Sequence, residues 1–260
     1  RSSDPEGAQT LIRGLGVIEA VVQGNKTLAS LVEHVELSRS TIHRLASALV
    51  AKGYLQAPRP GEYQAGPALL KLGFQAQQTI ELVPLVRPHI EELAARTQDT
   101  VHLAVLDEDT ALYLDKIPGQ RRVNLRSQVG ERQPVTSTGI GKALILDHAP
   151  EYWRARLAAE QRTSGSRRMD SALWMKRMHR YAKQDCAYDL EENEDQVRCV
   201  ASPVRDARGT IVGAISVASA AQYMDDARMT LLRQEVRHTA ALVSHRLGWV
   251  DERADEPPRG

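Results

Sequence analysis

Residues 27–52, TLASLVEHVELSRSTIHRLASALVAK, leave little freedom in how the start of this chain folds. At about 100° per residue, Ile42, Leu45 and Leu49 fall on one side of a helix. Ser40, His43, Arg44 and Ser47 fall on the other side, with Arg39 on the flank. One side packs on a core and the other is left for a polar partner. Ser38 is the natural N-cap, because its hydroxyl can accept from a first-turn amide. With Ser40 and Thr41 it places short hydroxyl side chains at a helix end whose free amides suit phosphate. Arg39, His43 and Arg44 can reach base edges or backbone from the same surface.

The flanks extend this reading. Leu28, Leu31, Val32 and Val35 make a short amphipathic helix that Thr27 can cap, and Leu11, Leu15, Ile18 and Val22 form a helical stripe to pack behind it. Gly53-Tyr54-Leu55, then APRPGEY, then Gln64-Ala65 read as strand, turn, strand, with Arg59 at the tip. A polar helix face is by default merely solvated. The order helix, helix, recognition helix and wing is what points to DNA, the alternative being a winged helix that binds protein.

The 260 residues carry a formal net charge of only +1 and 42% apolar side chains. Contacts to nucleic acid must therefore come from local placement, which Lys26, Arg39, Arg44, Lys52 and Arg59 supply against Glu33 and Glu36. Cys186 and Cys199 form no CxxC pair or zinc-like spacing, so neither a disulfide frame nor a structural metal is expected, and no cofactor. Two unpaired cysteines fit a reducing compartment. No apolar run approaches the ~20 residues of a membrane span, and no signal-peptide pattern opens the chain. The expected location is cytoplasmic. The missing initiator Met points to a trimmed N-terminus, and residues 1–7 and 251–260 have the composition of disordered tails.

Pro67 suits a first helical turn, and residues 67–80 read as a linker helix, either a dimer contact or packed on the second domain. Residues 81–98 read as a helix that Pro84 and Pro88 should delay or bend. Alternation at Val101, Leu103, Val105 and then Leu112, Leu114 predicts a hairpin. Val123–Ser127 reads as a third strand, ERQPVTST as a loop, Gly139 onward as a helix and 150–184 as charged helix. Cys199–Val204 and Ile211–Ala218 read as strands, and Asp225–Leu247 as a long helix with Gly248 as its C-cap. The expected class is α+β: an N-terminal winged helix-turn-helix over 8–66, the linker helix over 67–80, and over 81–250 an antiparallel sheet flanked by helices.

Candidate chemistry is sparse. Gly139-Ile140-Gly141-Lys142 is not a phosphate loop: Thr136 stands where a further Gly is needed and Ala143 where Ser or Thr is needed. What remains is a small-residue approach to a helix start that can favour a carboxylate, or simply a turn. Asp189, Glu191 and Glu192 could hold a hard metal, but no D-x-D-x-D-G loop is present and acidic runs are usually solvated. Cys199 has no adjacent base and reads as a buried thiol. Ser216 can bind a ligand or bond backbone, and His102 reads as a satisfied core residue.

LSRSTIHRLASAL, PVTSTGIGKALIL and DLEENEDQVRCVASPVRDARGTIVGAISV together resemble the IclR family of bacterial transcription regulators, from about residue 9 to 248. TVHLAVLDEDTALYLDKI and VNLRSQVGERQP look most like the branch answering to sugar-derived keto acids, such as the 2-keto-3-deoxygluconate regulators. The resemblance implies a DNA-binding winged helix-turn-helix and a C-terminal effector domain related to GAF and PAS-like sensors. It also implies a homodimer, often paired into a tetramer, and a pocket for a small organic acid at Gly139, Ile140, Asp189, Cys199 and Ser216. A second Ser common in the family is Ala218 here, while Arg122 and Gln133 are polar where some members are apolar, which would favour a larger hydroxylated ligand. In the first block Glu36 stands where a turn Gly is common. The expected function is a ligand-responsive repressor of transcription. The rival is a small-acid-processing enzyme with a fused DNA-binding module, using Cys199 or Asp189.

Overall fold

The computed structural model describes residues 8–79, 81–121, 125–162 and 169–250, and the chain divides into two compact units, the second beginning at Leu82. The tails expected to be disordered, together with Ile80, Arg122, Val123 and Asn124, lie outside the described residues.

The first unit contains α1 (Gln9–Val22), α2 (Leu28–Val35), α3 (Arg39–Ala51), the hairpin β1 (Leu55–Arg59) and β2 (Glu62–Ala65), and α4 (Pro67–Thr79). Val17, Ala20, Val21, Leu31, Ile42, Ala46 and Leu55 close one core, so the first three helices share a single apolar centre. Both predicted caps form: Thr27 and Ser30 make a reciprocal capping box, and Ser38 Oγ accepts from Thr41 N at 3.3 Å. The wing is tied back by Tyr63 N to Lys26 O (2.7 Å) and Leu28 N to Gly61 O (2.9 Å).

The second unit runs α5 (Leu82–Thr97), β3 (Thr100–Asp107), β4 (Thr110–Ile117), β5 (Arg132–Pro134), α6 (Gly139–Leu144), α7 (Pro150–Glu160), α8 (Ser171–Gln184), β6 (Ala187–Leu190), β7 (Val197–Arg205), β8 (Ile211–Ala220) and α9 (Asp226–Arg246). One six-stranded sheet has the order β5-β4-β3-β8-β7-β6, every neighbour antiparallel. Its two faces differ. Val101, Leu103, Val200, Val204, Ile215 and Val217 pack with α5 and α9. The opposite face carries Ala104, Ala201, Ala214, Ala218 and Cys199, and packs with α6, α7 and α8.

Several expectations change. Leu125–Ser127 is not a strand: the carbonyls of Leu125 and Ser127 each accept from Lys116 Nζ at 2.7 Å instead of entering a ladder. The edge strand is Arg132–Pro134, within the stretch expected as loop, where Pro134 is tolerated because an edge N–H needs no partner. Ala187–Leu190, expected as part of an acidic loop, pairs with β7, with Ala187 and Asp189 buried. α5 starts at Leu82 despite Pro84, which lies in the first turn where the missing N–H is an orphan anyway. Pro88 is accommodated inside the helix, although it cannot donate to the Pro84 carbonyl four residues back. The stretch expected as helical over 150–184 holds α7 and α8.

Glu36 closes α2 in the left-handed region, φ 55°, a conformation that costs a side-chain-bearing residue about 1–2 kcal/mol. Glu36→Gly relieves that cost and gives back part of it as unfolded-chain entropy. The expected net gain is about 0.5–1 kcal/mol, read as slower hydrogen exchange of the buried α3 amides of Ile42 and Leu45; faster exchange would contradict it.

Candidate functional sites

The outer surface of α3 is the first site. Ile42, Leu45 and Ala46 turn inward, and this fixes the rotation of the helix. Ser38, Arg39, Ser40, His43, Arg44 and Ser47 are consequently exposed, with Thr41 half-buried. Ser38 Oγ lies 3.1 Å from Ser40 Oγ and 2.8 Å from Thr41 Oγ1, a hydroxyl cluster at the helix start. Among the described residues, Arg39, His43 and Arg44 enter no ion pair, so their side-chain donors are uncommitted. Arg59, with 78% of its side chain exposed, has only a 3.8 Å pairing to Glu62. A surface of free guanidinium groups beside a helix N-terminus is suited to phosphate oxygens and to guanine edges.

The second site lies on the small-residue face of the sheet. Gly139, Ile140, Asp189, Cys199 and Ser216 are all buried there or against it. Asp189 on β6 pairs in register with Cys199 on β7, which pairs with Ala218 on β8. Ser216 lies between Ala201 and His102. The two glycines of α6 are packing requirements. A Cβ at Gly139 would fall 2.9 Å from Cys199 Sγ and 3.1 Å from Asp189 N; one at Gly141 would fall 2.5 Å from Val135 Cα. Thr138 Oγ1 accepts from Gly141 N at 3.0 Å and donates to Pro134 O at 2.6 Å, which seats the helix start. The amides of Gly139 and Ile140 belong to the first turn, which has no intrahelical acceptor.

Lys142 points inward. It is 1% exposed and donates to Ser137 O (3.1 Å), Tyr188 O (2.8 Å) and the Glu192 carboxylate. Glu192 also accepts from Arg177 at 2.6 Å, and Glu191 pairs with Arg198 at 3.0 Å. The acidic run is thus held by internal cations, and among the described residues no cluster of three or more potential ligands could hold a metal ion. Asp189 Oδ1 accepts from Glu192 N (2.7 Å) and Asn193 N (3.4 Å), shaping the turn after β6. Burial raises the Asp189 carboxyl to about 6, against the opposing pull of the Lys142 charge. Burial, and then the Asp189 charge, push the Cys199 thiol up to about 12, while a hydrogen bond with Ser216 works the other way. A nucleophilic cysteine needs the opposite shift.

Sequence reasoning passed over three residues of this face. His102, expected to be satisfied, bonds Ser127 Oγ through Nε2 at 2.7 Å, but its buried Nδ1 has no partner among the described residues. Burial, then the Lys116 charge, lower its pKa to about 3, so the ring is neutral. Tyr113 stacks on it with centroids 4.7 Å apart, and Lys116 is pinned by the Leu125 and Ser127 carbonyls. The register that sets His102 beside Ser216 is long-range, and only the alternation of β3 hinted at it. Gln133 is half-buried on β5 and donates to Glu131 Oε1 at 2.6 Å; Arg122 lies outside the described residues.

A winged helix-turn-helix with free cations, in one chain with a second unit that has an enclosed polar face, defines a DNA-binding transcriptional regulator with a ligand-binding domain. Comparison with known proteins agrees. The IclR helix-turn-helix domain matches residues 10–59, and the C-terminal domain of the bacterial transcriptional regulator IclR matches residues 74–245. The chain belongs to the IclR family. It is 33% identical to the transcriptional regulator XynR of Escherichia coli over 217 residues, covering 82% of this chain and 86% of XynR. It is 26% identical to the transcriptional regulator KdgR of Escherichia coli over 257 residues, covering 95% of each. The crystal structure of the Agobacterium tumefaciens repressor BlcR superposes with a TM-score of 0.78 at 20% identity, covering 95% of this chain and all of that one.

Asp189 yields a pH test. Its carboxyl is raised above the unfolded value near 3.8, so the fold holds a proton that the unfolded chain releases first. Its contribution to stability is most favourable below pH 3.8 and is lost as pH climbs through about 6. Asp189→Asn keeps an acceptor for Glu192 N and removes the titration. The variant is expected to gain on the wild type in urea midpoint between about pH 5 and 7; a pH-independent difference would refute the shift.

Proposed function

We propose that the chain is a repressor that binds operator DNA through Ser38, Arg39, Ser40, Thr41, His43, Arg44 and Arg59, and is controlled by a small organic or sugar-derived acid. Residues 8–66 are the DNA-binding domain, 67–80 the linker and 81–250 the effector domain. The observation that carries the reading is the outer face of α3, where exposed cations have no internal partner among the described residues. A homodimer or tetramer would present two such helices to successive major grooves of a near-palindromic site. The repressor sign is supported by the transcriptional repressor YiaJ of Escherichia coli, to which the chain is 27% identical over 254 residues, and the acid by the resemblance to 2-keto-3-deoxygluconate regulators. The effector would rest its carboxylate on the first-turn amides of Gly139 and Ile140, with Asp189, Cys199 and Ser216 facing its polar groups. It shifts DNA affinity only through unequal binding to two states. The chain acts as no enzyme in this reading, consistent with the elevated Cys199 thiol. A cytoplasmic location accords with the lack, among the described residues, of any helix long and apolar enough to cross a membrane.

Gel-shift titration tests the DNA surface. Arg44→Ala is expected to weaken binding to the promoter fragment upstream of its own gene by about 1–3 kcal/mol if Arg44 reads a base. Wild-type binding should fall steeply with salt. Binding unaltered by the substitution removes Arg44 from the surface, and salt-independent binding removes the DNA reading. For the effector, calorimetry with 2-keto-3-deoxygluconate, xylonate, gluconate and pyruvate is expected to give saturable heat with at least one acid; silence across the panel discards the acid class.

A further inference from the structure

We propose that His102 is a further effector-contact residue, one that reads the length and hydroxylation of the acid by hydrogen-bonding a ligand hydroxyl through Nδ1. The proposal rests on the reading of the small-residue face as the effector site. Its starting point is an orphaned atom. His102 is 2% exposed, its ring is held by Ser127 at one nitrogen and by Tyr113 across its plane, and its other nitrogen has no partner among the described residues. A buried nitrogen left unpaired is costly and uncommon, and one fixed in orientation beside Ser216 calls for a partner from outside.

The chemistry of the ring narrows that partner. A neutral imidazole has one N–H and one lone pair. The Ser127 hydroxyl can either donate to Nε2 or accept from it, so Nδ1 can serve as donor or acceptor in turn. A hydroxyl meets both possibilities.

Position narrows it further. With strands about 4.8 Å apart and residues about 3.3 Å apart along a strand, His102 on β3 is two strands across and two residues along from Cys199 on β7, roughly 12 Å. It is three strands across and two residues along, roughly 16 Å, from Asp189 on β6. A two- or three-carbon acid seated at Gly139 ends short of it. A five- or six-carbon hydroxylated acid extends across the small residues Ala218 and Ala201 toward Ser216, the in-register neighbour of His102. The side chains between are Ala and Ser, the smallest on the sheet.

The test is calorimetry of 2-keto-3-deoxygluconate and pyruvate on the full chain as wild type, His102→Asn and His102→Gln. An Asn amide can occupy the place of Nδ1, whereas a Gln amide reaches toward Nε2 and Ser127. The expected result is that Asn holds the longer acid within about threefold of wild type and Gln weakens it about tenfold or more. Pyruvate affinity should be the same in all three. A role confined to holding Ser127 gives the reverse, Gln retaining and Asn losing affinity, and overturns the proposal. So does equal loss of both acids. In the wild type, ¹⁵N spectra of labelled histidine give a readout that needs no variant: 2-keto-3-deoxygluconate, and not pyruvate, should move the His102 Nδ1 resonance. If the wild type binds none of the acids, the effector class itself falls; if it binds them and neither the Gln variant nor the resonance responds, only the role of His102 falls.

Discussion

Water is kept from one face of the second unit's sheet by the packing of α5 and α9, and this lets the residues of the other face, under α6, α7 and α8, be small. Val101, Leu103, Val200, Val204, Ile215 and Val217 are all fully buried on the filled side. Each contributes about 1.5–3 kcal/mol of transfer free energy. Because side chains alternate along a strand, the residues between them can be chosen independently. They are Ala104, Ala201, Ala214, Ser216, Ala218 and Cys199, together with the larger His102, and α6, α7 and α8 supply the bulk that covers them. One side is anchored by large aliphatic side chains of the strands, and the other by the side chains that α6, α7 and α8 bring to small strand residues.

The small face is bounded by polar fastenings. Lys142 joins α6 to the turn after β6 through Tyr188 O and Glu192, and Arg177 of α8 grips the same carboxylate. A buried ion pair is seldom better than an apolar substitute, but losing one member strands the other at a cost of several kcal/mol. Such a cluster specifies geometry: it sets α6 against Cys199 at a spacing that admits only glycine at position 139. The first unit uses charge in the opposite way. Arg39 and Arg44 are exposed and unpaired among the described residues, and Glu36 holds a left-handed turn that orients α2 into α3. Charges consumed internally build the second unit, while in the first they stay at the surface.

The helical elements of the first unit were legible residue by residue. Thr27 and Ser38 cap, Ile42 and Leu45 face inward, and Gly61 turns the wing, because these depend on contacts within a few positions. The reading failed where a distant group intervened. Leu125–Ser127 has the composition of a strand, yet the Lys116 ammonium takes its carbonyls. Ala187–Leu190 lies in an acidic run, yet β7 offers it an edge.

From sequence alone came the α+β class, the recognition helix with its outward cations, and the family resemblance, since helical periodicity, capping and local motifs are short-range. Tertiary structure decided that Lys142 is an internal counter-ion, that β6 closes the sheet, and that His102 keeps a nitrogen with no partner among the described residues beside Ser216. Those facts depend on strand register and on burial, which link residues far apart in the chain and leave no local periodic trace.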